Sequence, residues 1–417
     1  MMRSARGILR FWMKELWGPD WDWERRRLLV KHYWASFRNG SIPTTYLPEP
    51  ATAEPRGPIA VAQQRFSAEY RRRIEIVQDR PPWRRGVHLT YRPLGKNLRL
   101  LATALREHVD RNRRLHIETE GPATEQKALA SRGFQWSPWL WIRSRQDSAP
   151  GLRDAARAWN ELFRHPPPRE KMSEPPPRVG GLPHPRLKHP EVGASWNQRR
   201  LERLLALAAA TRYVFTPVVP IMERLQALRI EMGWPEHRPV LGIHVRRGDA
   251  ASTEDSPERS TRRSFGLESY LETADRLCSR YGIRDIFLAT ESGEEIERAV
   301  RLRPDYRFLW LNYDRSIYPA IGTSAQFIED YALAHPELAR DLATGAILDL
   351  YFFCECNAFV GAFNSEFSVL AWLLVIGSRG CLVPYVSLSQ PGTKLSLHPF
   401  AALLNLKTNC PLELYHW

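Results

Sequence analysis

The chain has 417 residues, 43% of them hydrophobic and 25% charged, with 60 Lys and Arg against 46 Asp and Glu and a formal net charge of +14. The length leaves room for about two or three domains with cores of their own. The basic balance favours anionic partners, such as nucleic acid, a phosphorylated substrate or a membrane surface. Five dispersed cysteines (Cys278, Cys354, Cys356, Cys381, Cys410) exclude a disulfide framework, and no apolar run reaches the ~18 residues of a membrane span.

In chain order, residues 1–85 read as an Arg- and Trp-rich extension without a clear repeat or period. Residues 5–17 set basic groups among Ile8, Leu9, Phe11, Trp12 and Leu16, the pattern of an amphipathic helix docked on protein or lying on a membrane surface. They lack the apolar block and cleavage site of a signal peptide. Asp20-Trp21-Asp22, a D-x-D match in this leader, is read as chance. Residues 86–121 predict a short strand, a turn at Gly95, an amphipathic helix and a strand at Leu115–Glu118. They open a Rossmann-like, acceptor-side domain over 86–235. Trp136, Trp139 and Trp141 read as core. Residues 166–190 hold nine prolines and read as a linker or long surface loop. A helix follows at Arg199–Ala209.

From residue 239 strands and helices alternate. Strands are expected at 239–247, 283–290, 306–312, 358–363 and 381–386. Helices are expected at 267–281, 292–303, about 325–357 with a break at His335-Pro336, and 365–377. Continuous apolar strands alternating with helices predict a doubly wound parallel sheet, covered on both faces, over 236–395. Residues 396–417 form a tail. Cys354 and Cys356 read as buried free thiols, because no second pair completes a zinc site.

Ligands of such sheets bind beyond the carboxyl ends of the strands. The stretch VLGIHVRRGDAASTEDS, 240–256, passes there from apolar to charged. Its strand delivers His244, Arg246 and Arg247; the next delivers Thr290 and Glu291; the 358–363 strand delivers Asn364 and Ser365. Guanidinium forks, a hydroxyl and free N–H groups at a helix N-terminus together suit a nucleoside diphosphate. Each residue also has a plainer reading. Arg246 and Arg247 could form a structural ion pair with Asp249 or Glu254, Asp349 could pair with a core arginine, Glu254 could be a solvated loop acid, and Ser365 could be only a helix cap.

HVRRGDAASTE, IFLATES and GAILDLYFFCECNAFVGAFNSEF, at their spacing, resemble the α-1,6-fucosyltransferases. That family includes the enzymes that fucosylate the N-glycan core and the bacterial nodulation fucosyltransferases; the wider superfamily includes protein O-fucosyltransferases. The resemblance covers roughly 239–390 and extends faintly to LGKNLRLLATALREHVDRNRRLHIE. It implies a GT-B architecture of two facing Rossmann-like domains. It also implies inverting, metal-independent transfer of fucose from GDP-fucose to a hydroxyl of a glycan or glycoprotein. Under it Arg246 grips the β-phosphate, Arg247 shapes the site, and His244 and Asp349 flank guanine. Ser365 binds phosphate, Glu291 lies on the donor, and Glu254 is the general base. Gly95 and Asn97 let the first domain's backbone approach the donor. No cofactor and no metal are implied, and no nucleic-acid partner. Family analogy places a eukaryotic member in the Golgi or secretory pathway and a bacterial one in the cytoplasm.

The chain departs from the family at Ala250, where a lysine is usual, at Ser292 within a reduced acidic pair, and at Glu366 beside the phosphate serine. Two other readings therefore stand beside the enzyme: a degenerate transferase that binds a GDP-sugar or glycan, and a basic nucleic-acid-binding protein.

Overall fold

The computed structural model describes residues 44–50, 57–78, 87–88, 94–111, 117–118, 185, 187, 198–247, 265–316, 318 and 336–389. All of them fall in one compact unit. Several expectations lie outside these residues: the 5–17 helix, Asp20-Trp21-Asp22, the three tryptophans at 136–141, Asp249, Ala250, Glu254, Cys410, the tail 396–417 and nearly all of 166–190.

The elements run β1 (Thr45–Tyr46), α1 (Pro58–Gln78), β2 (Val87–His88), α2 (Leu94–Asp110), β3 (Ile117–Glu118), α3 (Gln198–Val214) and α4 (Val219–Met232). They continue β4 (Val240–Val245), α5 (Leu267–Tyr281), β5 (Asp285–Thr290), α6 (Gly293–Leu302), β6 (Arg307–Leu309), α7 (Pro336–Phe353), β7 (Ala358–Gly361), α8 (Glu366–Arg379) and β8 (Tyr385–Ser387). Six strands form one sheet in the order β1-β8-β7-β4-β5-β6, and β2 and β3 pair separately in parallel. From β4 to β8 every pairing is parallel. The chain winds outward through β5 and β6, then returns to place β7 on the other flank of β4. That reversal beside β4 is the topological switch point, where the crossovers leave to opposite sides and a crevice opens at the strand ends.

Every residue of β4 and β5 is buried, as their unbroken apolar sequences demand. Alternation then sorts the two faces. Leu241, Ile243 and Val245 pack into a core with Leu267, Tyr270, Leu271 and Ala274 of α5. Gly242 and His244 face the other way, toward α7 and α8. A Cβ on Gly242 would lie 2.7 Å from the Phe353 ring, so only glycine lets α7 sit this close to the strand. Helix α8, FSVLAWLLVIG at its centre, is buried all round because α3 and α2 cover its outer side. Gly377 makes that contact possible: a Cβ there would fall 2.3 Å from the Ala208 carbonyl oxygen of α3.

Strands and helices alternate from 239 onward in the expected order, with the last strand at Tyr385–Ser387 in place of 381–386; residues 325–335, the first part of the long expected helix, lie outside the described residues. Cys278, Cys354, Cys356 and Cys381 are free thiols. Four expectations need correction. The sheet is not wholly parallel, because β1 adds an antiparallel edge on β8. The 45–78 stretch is not featureless. Its α1 buries Phe66, Tyr70, Ile74 and Val77 on one stripe. The period is masked by buried polar residues that bond to other elements: Gln63 accepts from Leu382 N–H at 2.7 Å, and Ser67 donates to the Gly380 carbonyl at 2.7 Å. Gly95 is not a turn before α2 but part of its first turn. Strand β4 stops at Val245, so Arg246 and Arg247 stand just past it. In the proline-rich segment, Leu187 is buried; its N–H donates to Glu202 at 2.8 Å and its carbonyl accepts from Gln198 at 2.8 Å.

Candidate functional site

The carboxyl ends of β4, β5 and β7 bring most of the expected residues to one rim. His244, the last inward-facing residue of β4, is 3% exposed. Its Nδ1 shares a 2.6 Å hydrogen bond with Ser368 Oγ, and its ring packs on Phe367 with centroids 4.6 Å apart. Burial, with the Arg246 charge adding to it, pushes the imidazole down to about 3, so it stays neutral. His244 thus ties β4 to the first turn of α8. Ser365 occupies the N-cap of that helix in extended conformation, yet its side chain makes no capping hydrogen bond. The plain capping role therefore does not consume the hydroxyl.

Arg246 and Arg247 are each met by an acid from beyond β5. The Arg246 guanidinium pairs with Glu291, whose other oxygen accepts from Arg247 N–H at 3.0 Å. Arg247 donates from Nε to Glu295 at 2.7 Å and from a terminal nitrogen to the Phe265 carbonyl at 2.7 Å. Glu295 can reach it because Ser292 caps α6, accepting from Glu295 N–H at 3.2 Å, and so fixes the first turn. Both arginines are ion-paired, but to Glu291 and Glu295; the partners anticipated in the plain reading, Asp249 and Glu254, lie outside the described residues.

Asp349 arrives from α7 and is 4% exposed. Its Oδ2 accepts from the Tyr313 hydroxyl at 3.2 Å, and its Oδ1 is buried without a hydrogen-bond partner among the described residues. Burial raises this carboxyl to about 7, against the opposing pull of Arg315 and of the Tyr313 hydroxyl, with Glu291 pushing further upward. Tyr318, also buried, lies within the electrostatic reach of Glu291, Asp349, Arg315 and Arg246. Arg246, Glu291 and Asp349 therefore belong to one neighbourhood, joined through the segment that follows β6.

That segment is what sequence reasoning missed. Tyr313 and Arg315 sit just after the third parallel strand, at the same rim as the expected residues. Arg315 donates to the carbonyls of Thr290 at 3.1 Å, Leu311 at 2.8 Å and Tyr313 at 3.2 Å, and its guanidinium stacks 3.9 Å from the Tyr313 ring centroid. The available signal was positional, since LNYDRSIY follows a strand whose carboxyl end must face the same crevice. Ser368 and Phe367 were likewise legible only as core. Gly95 and Asn97 lie in the first turn of α2, which packs on α3 and α8. Among the described residues, no group of three or more His, Cys, Asp or Glu is placed to hold a metal ion, and no helix is long and apolar enough to cross a membrane.

No protein-family model matches the chain. Over 161 residues it is 27% identical to the α-(1,6)-fucosyltransferase of Drosophila melanogaster, a match covering 39% of this chain and 23% of that enzyme. The chain thus spans less than a quarter of that relative's length. Among solved structures, the fucosyltransferase NodZ from Bradyrhizobium superposes with a TM-score of 0.35 at 16% identity, covering 70% of this chain and 93% of its own. POFUT1 in complex with GDP superposes with a TM-score of 0.27 at 12% identity, covering 43% and 51%. By sequence, this chain is fucosyltransferase-like over that 161-residue stretch.

Proposed function

We propose that the chain is an inverting, metal-independent glycosyltransferase that moves fucose from GDP-fucose to a hydroxyl of a glycan or glycoprotein. The observation that carries this reading is Asp349: a buried carboxylate linked through Tyr313 to the carboxyl end of β5, with one oxygen that no described residue supplies with a donor. A nearly sealed acceptor without a partner costs the folded protein free energy unless a ligand supplies an N–H. Guanine offers two on one edge, N1–H and the exocyclic amine, where adenine offers no matching pair.

Around that anchor the rest follows. Arg246 exchanges Glu291 for the β-phosphate and stabilises the charge that GDP gains as the glycosidic bond breaks. Ser365 and the N-terminus of α8 supply a hydroxyl and backbone N–H groups to the same phosphates. His244, locked on Ser368, fixes that helix end against β4. Arg247, held by Glu295, shapes the floor. Glu254 takes the acceptor's proton on the face opposite the leaving group, which inverts the anomeric centre. Gly95 and Asn97 approach the donor from a first domain over 86–235, facing the second over 236–395 in a GT-B arrangement. The similarity to the Drosophila α-(1,6)-fucosyltransferase supports fucose as the sugar.

A second reading, a protein that binds a GDP-sugar without transferring it, is favoured by the acids that already occupy Arg246 and Arg247. Thermal denaturation with GDP, GDP-fucose, UDP and ADP tests the shared premise. Stabilisation is expected with the two guanine nucleotides; equal shifts with GDP and UDP would overturn the guanine assignment. Release of fucose from GDP-fucose by the protein separates enzyme from binder without needing the acceptor.

A further inference from the structure

We propose that Tyr313 is a positioning residue for base recognition: its hydroxyl holds Asp349 by Oδ2 and thereby keeps Oδ1 as the acceptor for the donor's base. The inference rests on the guanine-nucleotide reading of the site and names a residue that reading does not use.

The hydrogen-bond inventory of the segment carries it. The Tyr313 hydroxyl has one proton and two acceptors in reach, Asp349 Oδ2 at 3.2 Å and the Thr290 carbonyl at 3.4 Å. The Thr290 carbonyl is already served by Arg315 Nε at 3.1 Å. The tyrosine proton is therefore best spent on Asp349, at the shorter distance and to the group with the larger unmet demand. Arg315 makes this arrangement rigid. Its fork spans three carbonyls, those of Thr290, Leu311 and Tyr313, and its plane lies over the tyrosine ring. Strand β5 and the segment after β6 are thus stitched together, and the tyrosine hydroxyl is held at a fixed point beside α7. A carboxylate gripped by one oxygen loses its rotational freedom and meets a planar base with the other oxygen already set, so the ordering cost is met before the ligand arrives.

The same contacts bear on charge. Among the described residues, the groups facing Asp349 are Tyr313, Arg315 and Tyr318 from the segment after β6, and Glu291 from the end of β5. Arg315 and the tyrosine hydroxyl favour the ionised carboxylate, whereas burial and Glu291 oppose it. Tyr313→Phe keeps the ring on Arg315 but removes the donor, which moves the Asp349 titration upward.

The test is calorimetric titration of the full chain with GDP, IDP and UDP, across pH 5.5 to 8.5, for the wild type, Tyr313→Phe and Arg315→Lys. For Tyr313→Phe, GDP affinity is expected to fall about tenfold, the scale of one lost hydrogen bond to a charged group. UDP affinity should be unchanged, and the acid limb of GDP binding should move to higher pH. Arg315→Lys keeps the charge but not the fork, and gives a smaller loss of the same sign; it also serves if the phenylalanine variant fails to fold. A GDP-to-UDP ratio and pH midpoint equal to wild type in both variants overturn the positioning role while leaving the guanine reading intact. An equal loss for both nucleotides makes Tyr313 merely structural and also overturns it. A wild type with no preference for GDP over UDP overturns the guanine reading and takes this inference with it.

Discussion

The two ends of the central sheet are both rich in arginine, and arginine means something different at each. At the amino end, fully buried Asp285 opens β5 and lies 3.2 Å from Arg238 and 3.6 Å from Arg307. Arg229 pairs with Glu355 at 2.6 Å, and Arg379 donates to the Cys356 carbonyl at 2.8 Å and to Asn357 at 3.2 Å. A cleft of about 500 Å3 runs between Arg229, Arg238, Glu355 and Arg379. Helices α4, α7 and α8 all end here, so the guanidiniums answer the negative poles and open carbonyls of helix C-termini. At the carboxyl end the helices begin, and their positive poles add to Arg246 and Arg247 instead of being answered by them. Glu291 and Glu295 balance that surplus. Each end keeps a buried acceptor oxygen without a partner among the described residues, Asp285 Oδ2 at the amino end and Asp349 Oδ1 at the carboxyl end, but Asp285 faces two guanidiniums through its other oxygen whereas Asp349 is met there by a neutral tyrosine hydroxyl.

The largest effect should come from removing the arginine at the carboxyl end. Arg246→Ala is expected to abolish GDP binding and to lower transfer by about 10³–10⁵-fold, the scale seen when an arginine that stabilises phosphoryl charge is lost. The melting temperature should fall, because Glu291, with 15% of its side chain exposed, loses its guanidinium partner. Glu254→Gln makes the contrast within the same experiment, cutting transfer by about 10²–10⁴-fold with GDP affinity near wild type. If Arg246→Ala binds GDP as tightly as the parent, the ion pair with Glu291 is the residue's whole role and the two ends do not differ.

Asp349→Asn should separate stability from binding. The carboxyl is raised by burial to about 7 in the folded protein from its ordinary value of 3.8, so the folded state holds its proton more tightly than the unfolded chain. The resulting stabilisation is complete below pH 3.8 and is lost as pH rises through 7. Asparagine cannot ionise, so the variant should gain on the wild type between pH 4 and 7 and stay ahead above it, by on the order of a few kcal/mol. Denaturant titrations at pH 5 and pH 8 measure the difference. GDP selectivity should move the other way, falling about 10–100-fold against UDP, since guanine's donors need the carboxylate. A variant less stable than wild type at pH 8 would contradict the ligand-site reading, because Asp349 would then be a satisfied structural acid.

The same contrast explains what the sequence could tell. Strands β4, β5 and β7 were legible because burial on both faces requires unbroken apolar runs, and their carboxyl ends pointed to Arg246, Glu291 and Ser365 at once. The partners of those residues were not legible. Glu295 reaches Arg247 only because Ser292 starts α6 where it does, and Tyr313 meets Asp349 across 36 positions of chain. Helix α1 stayed hidden because Gln63, Ser67 and Arg73 interrupt its stripe with side chains that serve distant backbone groups. Local pattern encodes which face is buried; it does not encode which polar group on another element is waiting there.

The smallest effect should come from the amino end, and it is the sharpest check on the comparison. Arg238→Ala removes a half-exposed guanidinium from Asp285, but Arg307 still faces the same carboxylate from the neighbouring strand. The cost should be about 1 kcal/mol, near the upper value for exposed pairs and well below that for stranding a buried charge. Donor affinity should remain within about twofold of wild type, because the sheet separates the two ends and mutations that share no partner add independently. The double variant Arg238→Ala/Arg246→Ala should therefore show the Arg246 loss in binding and the Arg238 loss in stability, each unchanged by the other. Coupling between them would mean that charge at one end of the sheet sets the geometry at the other, and that the amino-end arginines belong to the site after all.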